Sequence, residues 1–184
     1  MAIKTLGLFL VSMSVISGSL AGLAHADDSA KPCAAYSRSE LLEAAAGFSC
    51  LTSKGSAFAV TARDAASGKQ IWVDRRAGLA ISSPYDGVRS LDEAAKLCKT
   101  MPKPGSWKVP TGSQDKKSDL MVLEADGALE AMPQLFDHWF WLASPKSPYY
   151  GAITFGQDGV EQMNYDYGRD DGTTSAVCVS KAFR

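Results

Sequence analysis

The chain has 184 residues, 19 basic and 20 acidic side chains, a formal charge of −1 and four cysteines. That length fits one domain able to bury a core of its own. A charge balance this close to neutral argues against a nucleic-acid binder, which carries a basic patch or stripe for phosphate.

Residues 1–26 read as a secretory signal peptide. Lys4 supplies the positive start, residues 6–23 are apolar but broken by Ser and Gly, and Ala24-His25-Ala26 fits a small-x-small cleavage site. The unbroken apolar runs are too short for the roughly 20 residues that span a bilayer, so no integral membrane segment is expected after cleavage. The processed chain is expected to be exported, periplasmic or extracellular. There, an even cysteine count reads as two disulfides, and Cys33, Cys50, Cys98 and Cys178 allow three pairings. A four-thiolate zinc site would need close pairs about two to four residues apart, which this sequence lacks.

Residues 27–56 form an N-terminal extension ahead of a domain at 57–184. Ser37 and Glu40 have the spacing of a capping box that opens a helix over 41–46, with Gly47 suited to a left-handed C-cap. Cys33 and Cys50 flank this helix, and a bridge between them would clamp an element too short to persist alone. Residues 57–61 and 70–73 are β-rich around turn-forming residues 66–69, which predicts a hairpin. Another short strand follows at 78–82, then a loop at 83–87. Ser90 and Glu93 form a second capping box for a helix reaching Lys99, with Leu91, Ala94, Ala95 and Cys98 on one face.

Residues 107–111 read as extended, 112–118 as a charged loop, and 119–129 as a helix turning Leu120, Leu123 and Leu129 inward. Strands are predicted at 139–143, 150–155, 160–165 and 176–179, with turns at 157–159 and 169–172. Helices early, short antiparallel strands late and no βαβ alternation give an α+β class.

Several segments together resemble one family. These are WVDRRAGL (72–79), the helix 90–98 ending in cysteine, WKVPT (107–111), WFWLAS (139–144) and AVCV (176–179). Their order and spacing resemble the Lcl C-terminal domain family of bacterial exported proteins. Ala77 stands where that family usually has threonine, and Asp119-Leu120 follows the Pro-Thr box only after the charged insert. The resemblance implies a C-type-lectin-like fold, with two main helices beside a twisted, looped antiparallel sheet. It also implies that Cys98 joins Cys178, which leaves Cys33 with Cys50. It makes Trp72, Trp107 and Trp141 packing anchors, and it implies surface attachment and ligand binding rather than a reaction.

Catalytic chemistry is thinly supplied. His138 is the one histidine beyond the leader, and no nucleophile elbow marks a serine partner. An enzyme would require a pocket gathering His138 with at least one carboxylate. No cofactor is expected. Asn164, Asp166, Asp170 and Asp171 are the only dense oxygen cluster, a possible but weak calcium site that reads more simply as a turn-rich loop. Tyr149, Tyr150, Tyr165 and Tyr167 flank turns and late strands, where a binding face would form. The sequence thus points to a non-catalytic binding or adhesion module for a glycan or an envelope protein. The alternatives are a structural envelope protein with no small ligand and, third, an enzyme.

Overall fold

The computed structural model describes residues 30–102, 106–112, 117–136, 138–144, 150–156, 159–164 and 174–181. The proposed signal peptide lies outside them. The chain is a mixed α+β structure built on two sheets.

A 3-10 turn at Cys33–Ala35 leads into α1 (Arg38–Glu43). The Ser37 capping box forms in full: the Glu40 N–H donates to Ser37 Oγ and the Ser37 N–H donates to Glu40 Oε2. The helix stops at Glu43, short of the predicted 46. Strands β1 (Ser49–Leu51), β2 (Ala57–Arg63), β3 (Gln70–Asp74) and β4 (Leu79–Ser82) then form an antiparallel meander. β1 was not predicted, because three residues are too few to show an alternating pattern.

Asp74 organises the β3–β4 turn. Its Oδ1 accepts the N–H groups of Arg76 (2.9 Å) and Ala77 (3.2 Å), and Gly78 then takes a φ of 63°. An Asx turn followed by a left-handed glycine explains the aspartate and glycine of the 72–79 segment.

α2 (Leu91–Lys99) starts at Ser90 as predicted, although Glu93 reaches the N–H of Arg89 rather than that of the cap residue. The helix expected over 119–129 is broken into α3 (Asp119–Ala125) and α4 (Ala128–Ala131). Gly127 between them adopts a φ of 90° and lies against Thr52. A 3-10 turn at Pro133–Leu135 leads toward β5 (Trp139–Ala143). β6 (Tyr150–Gly156), β7 (Gly159–Asn164) and β8 (Thr174–Ser175) complete the second sheet in the order β7-β6-β5-β8. β5 and β8 run parallel, an exception to the antiparallel expectation.

The strand predicted at 176–179 is also corrected. Ala176 bridges Tyr85, and β9 (Val179–Ser180) crosses to the first sheet and pairs with β4. Nor are the helices confined to the early chain, since three of the four follow β4.

Two cores result. Phe58, Val60, Trp72, Leu79 and Ile81 of the first sheet meet Phe140, Leu142, Ile153 and Phe155 of the second. On the opposite faces, Ile71, Val73, Ala80 and Trp141 pack with Ala94 and Cys98 of α2 and with Trp107 and Val109. β5 is therefore buried on both sides, with Phe140 in one core and Trp141 in the other. Trp72, Trp107 and Trp141 are all core residues. Bridges join Cys33 to Cys50 and Cys98 to Cys178, and each half-cystine is buried. Among the described residues, no helix is long and apolar enough to cross a membrane.

Candidate functional site

A cavity of about 190 Å³ opens between the β2–β3 turn, the loop after β4, α1 and the approach to β5. Its walls include Gln70, Ser83, Asp86, Gln134 and His138, with Arg63, Lys69, Leu42 and Pro84 around them. The volume is smaller than the roughly 300–1,000 Å³ of drug-sized ligand sites.

Backbone pairing sets the walls. Tyr85 and Ala176 exchange two hydrogen bonds of 2.8 Å, and the Val88 N–H donates to Thr174 O at 3.1 Å. The Trp141 indole N–H donates to Val88 O at 2.8 Å. These contacts hold the loop after β4 along β8 and bring Asp86 beside Ser175. The Ser175 hydroxyl donates to Asp86 Oδ1 at 3.0 Å. With that proton committed, His138 Nδ1–H is the donor to Ser175 Oγ at 3.1 Å. The ring nitrogen left for an occupant is Nε2. His138 is half-buried immediately before β5.

The inner wall is an amide and hydroxyl network. Gln70 is 2% exposed, and its Nε2 donates to Leu41 O (3.0 Å) and Ala44 O (2.9 Å). The Trp72 indole N–H donates to Gln70 Oε1 at 3.2 Å, and Gln134 Nε2 donates to Ser83 Oγ at 3.3 Å. Gln134 Oε1 is buried without a partner among the described residues.

The rim charges are already engaged. Arg63 donates to the carbonyls of Glu43, Ala44 and Gly68. Lys69 Nζ sits 5.9 Å from the centre of the Tyr85 ring. Burial pushes the Tyr85 phenol up from its ordinary value, and the Ser67 hydroxyl on Asp64 holds that carboxyl low. Asp86 adds a carboxylate to the same lining.

Ser175, His138 and Asp86 do not form a hydrolytic triad. Ser175 is 1% exposed, and it meets the same imidazole nitrogen that approaches Asp86 at 3.5 Å. A triad puts the acid on one ring nitrogen and an accessible hydroxyl on the other. The cavity does gather His138 with a carboxylate, the condition the enzyme alternative required.

Tyr149, Tyr165, Tyr167, Asp166, Asp170 and Asp171 lie outside the described residues. Tyr150 opens β6 opposite Ala143, and Asn164 closes β7 opposite Ala152; only their backbones are described. Among the described residues, no cluster of three His, Cys, Asp or Glu side chains could hold a metal ion.

Sequence reasoning missed Gln70, Ser83, Asp86, Gln134 and Ser175. The available signal was polar residues inside apolar runs, as in QIWVD at 70–74. Comparison of the chain with family models, curated proteins and solved structures returns no match.

Proposed function

We propose that this protein is an exported binding module of C-type-lectin-like fold, whose cavity takes a neutral polar group about the size of one sugar ring. Its partner is then a glycan, free or carried on an envelope protein. The observation that carries the reading is the cavity lining. Gln70, Ser83 and Gln134 are uncharged hydrogen-bonding groups and His138 adds a ring nitrogen, while Arg63 and Lys69 are engaged with carbonyls and an aromatic ring and the Asp86 carboxylate accepts from Ser175. Sugar hydroxyls both donate and accept, which suits such a wall, and Leu42 and Pro84 offer apolar contact for ring C–H groups. Two disulfides and the leader-like N-terminus support export. The resemblance to the Lcl C-terminal domain family supports both the fold and a role in attachment.

The test is a glycan-array screen of the mature, oxidised protein. Any hit is then titrated against wild type, Gln134→Ala and His138→Ala. Losing one hydrogen bond should weaken binding about tenfold in either variant. A hit that both variants leave unchanged moves the site away from the cavity, with Tyr149, Tyr150, Tyr165 and Tyr167 next in line. No hit at all favours a structural envelope protein.

The oriented imidazole favours one second reading, in which His138 Nε2 serves as a general base for hydrolysis. Turnover of a glycoside or acyl-ester panel by wild type, lost in His138→Ala, would replace the binding reading.

A further inference from the structure

Asp74 ends β3 and is 0% exposed. Its Oδ1 accepts the Ser56 hydroxyl at 2.5 Å as well as the two backbone N–H groups of its turn. Its Oδ2 is equally shut off from water and takes no donor from any described residue. A carboxylate oxygen left bare in an interior is costly.

Arg76 ties Asp74 to Asp126, at the junction of α3 and α4. Its backbone N–H donates to Asp74 Oδ1 and its guanidinium pairs with the Asp126 carboxyl. That places the two carboxyls close enough for each to act on the other's titration. Two carboxylates this close, one of them buried, cannot both ionise cheaply. A proton on Asp74 Oδ2, donated to the Asp126 carboxylate, partners the bare oxygen and removes the buried charge together.

The surrounding charges agree with that placement. Arg76 is the only cation bonded to the pair among the described residues, and it bonds the Asp126 side. Lys54 contributes only its backbone carbonyl, to Arg76, and Glu130 is turned to the N–H and hydroxyl of Ser53. Burial pushes the Asp74 carboxyl up, and the Arg76 hydrogen bond holds Asp126 down.

We propose that Asp74 and Asp126 share one proton, and that this proton is a pH-sensitive latch fastening the α3–α4 segment to the first sheet. The fastening is local and concerted. At the same junction the Thr52 hydroxyl donates to Asp126 O at 2.7 Å, and Arg76 donates to Lys54 O at 2.8 Å. α4 runs on into the Pro133–Leu135 turn that carries Gln134, so the latch also steadies a wall of the cavity. The latch stands whatever the cavity binds.

The sign follows from the raised Asp74 value. Its stabilisation is complete below the ordinary carboxyl range, about 3.9, and is lost as pH rises through the folded-state value. Asp74→Asn tests this, because its amide N–H can stand where the shared proton stands and its Oδ1 can still accept. Thermal melts are recorded for wild type and Asp74→Asn from acidic to alkaline pH. Expected is a wild-type Tm that falls relative to the variant as pH rises, with the variant equal or higher at alkaline pH. Infrared spectra should also show a protonated-carboxyl band in wild type that disappears in Asp74→Asn. A variant less stable than wild type by the same amount at every pH would overturn the proposal. So would identical wild-type and Asp74→Asn spectra in the protonated-carboxyl region at about pH 6, above the ordinary carboxyl range.

Discussion

Replacing Cys98 and Cys178 together by alanine removes a crosslink spanning 80 residues, against 17 for the Cys33–Cys50 bridge. The chain-entropy relation assigns about 4.5 kcal/mol to the longer loop and about 3 kcal/mol to the shorter at 25 °C. In a domain of this size, 1 kcal/mol moves the melting temperature by about 2–4 °C. The Cys98/Cys178 variant should therefore melt roughly 10–18 °C lower than wild type, and the Cys33/Cys50 variant roughly 6–12 °C lower. All four half-cystines are at most 1% exposed, so the packing lost with the sulfurs is similar in the two variants. The ordering then comes from the loops. Differential scanning calorimetry of the three proteins without reductant measures it. A Cys33/Cys50 variant that melts below the Cys98/Cys178 variant would refute the loop-entropy argument. Equal melting in wild type and both variants would refute the stapling itself.

Two further outcomes follow from single residues. In Gly127→Ala the new Cβ would lie 2.6 Å from Thr52 Cβ on a backbone with φ of 90°, so urea denaturation should show a loss of about 2–5 kcal/mol. An unchanged midpoint would mean that the α3–α4 break does not require glycine. Asp119 is opposed by burial, but the Thr111 N–H at 3.0 Å and Lys108 at 3.1 Å outweigh it and hold its carboxyl low. Its stabilisation is therefore present above the ordinary carboxyl value and lost as pH falls through the lowered one. The urea midpoint of wild type should drop between about pH 5 and pH 2 more steeply than that of Asp119→Asn. Parallel acid limbs would remove Asp119 from the account.

Local signals in the sequence were read well where the interaction is itself local. The Ser37 and Ser90 caps, the β2–β3 hairpin and the strand at 139–143 depend on neighbours a few residues away, and the structure has each of them. The misses share a different cause. Gly127 looks tolerable inside a helix until Thr52, distant in sequence, is found against it. The run 176–179 reads as one strand, yet only Val179 belongs to a strand, pairing with Ile81 of β4, while Ala176 makes an isolated bridge to Tyr85 in the loop after β4. The cavity was illegible for the same reason. Gln70, Asp86, Gln134 and Ser175 come from four separate segments, and no spacing rule joins them. Only His138 stood out beforehand, through its rarity.

The pairing of β9 with β4 has a bearing on how the chain matures. Between those partners the sequence must deliver α2, α3, α4 and the whole second sheet, so the backbone groups along one side of β4 stay open until residues 179–180 arrive. An uncovered strand margin invites pairing with other chains. Emerging protein is thus most prone to self-association until residues 179–180 dock, the step that also brings Cys178 to Cys98.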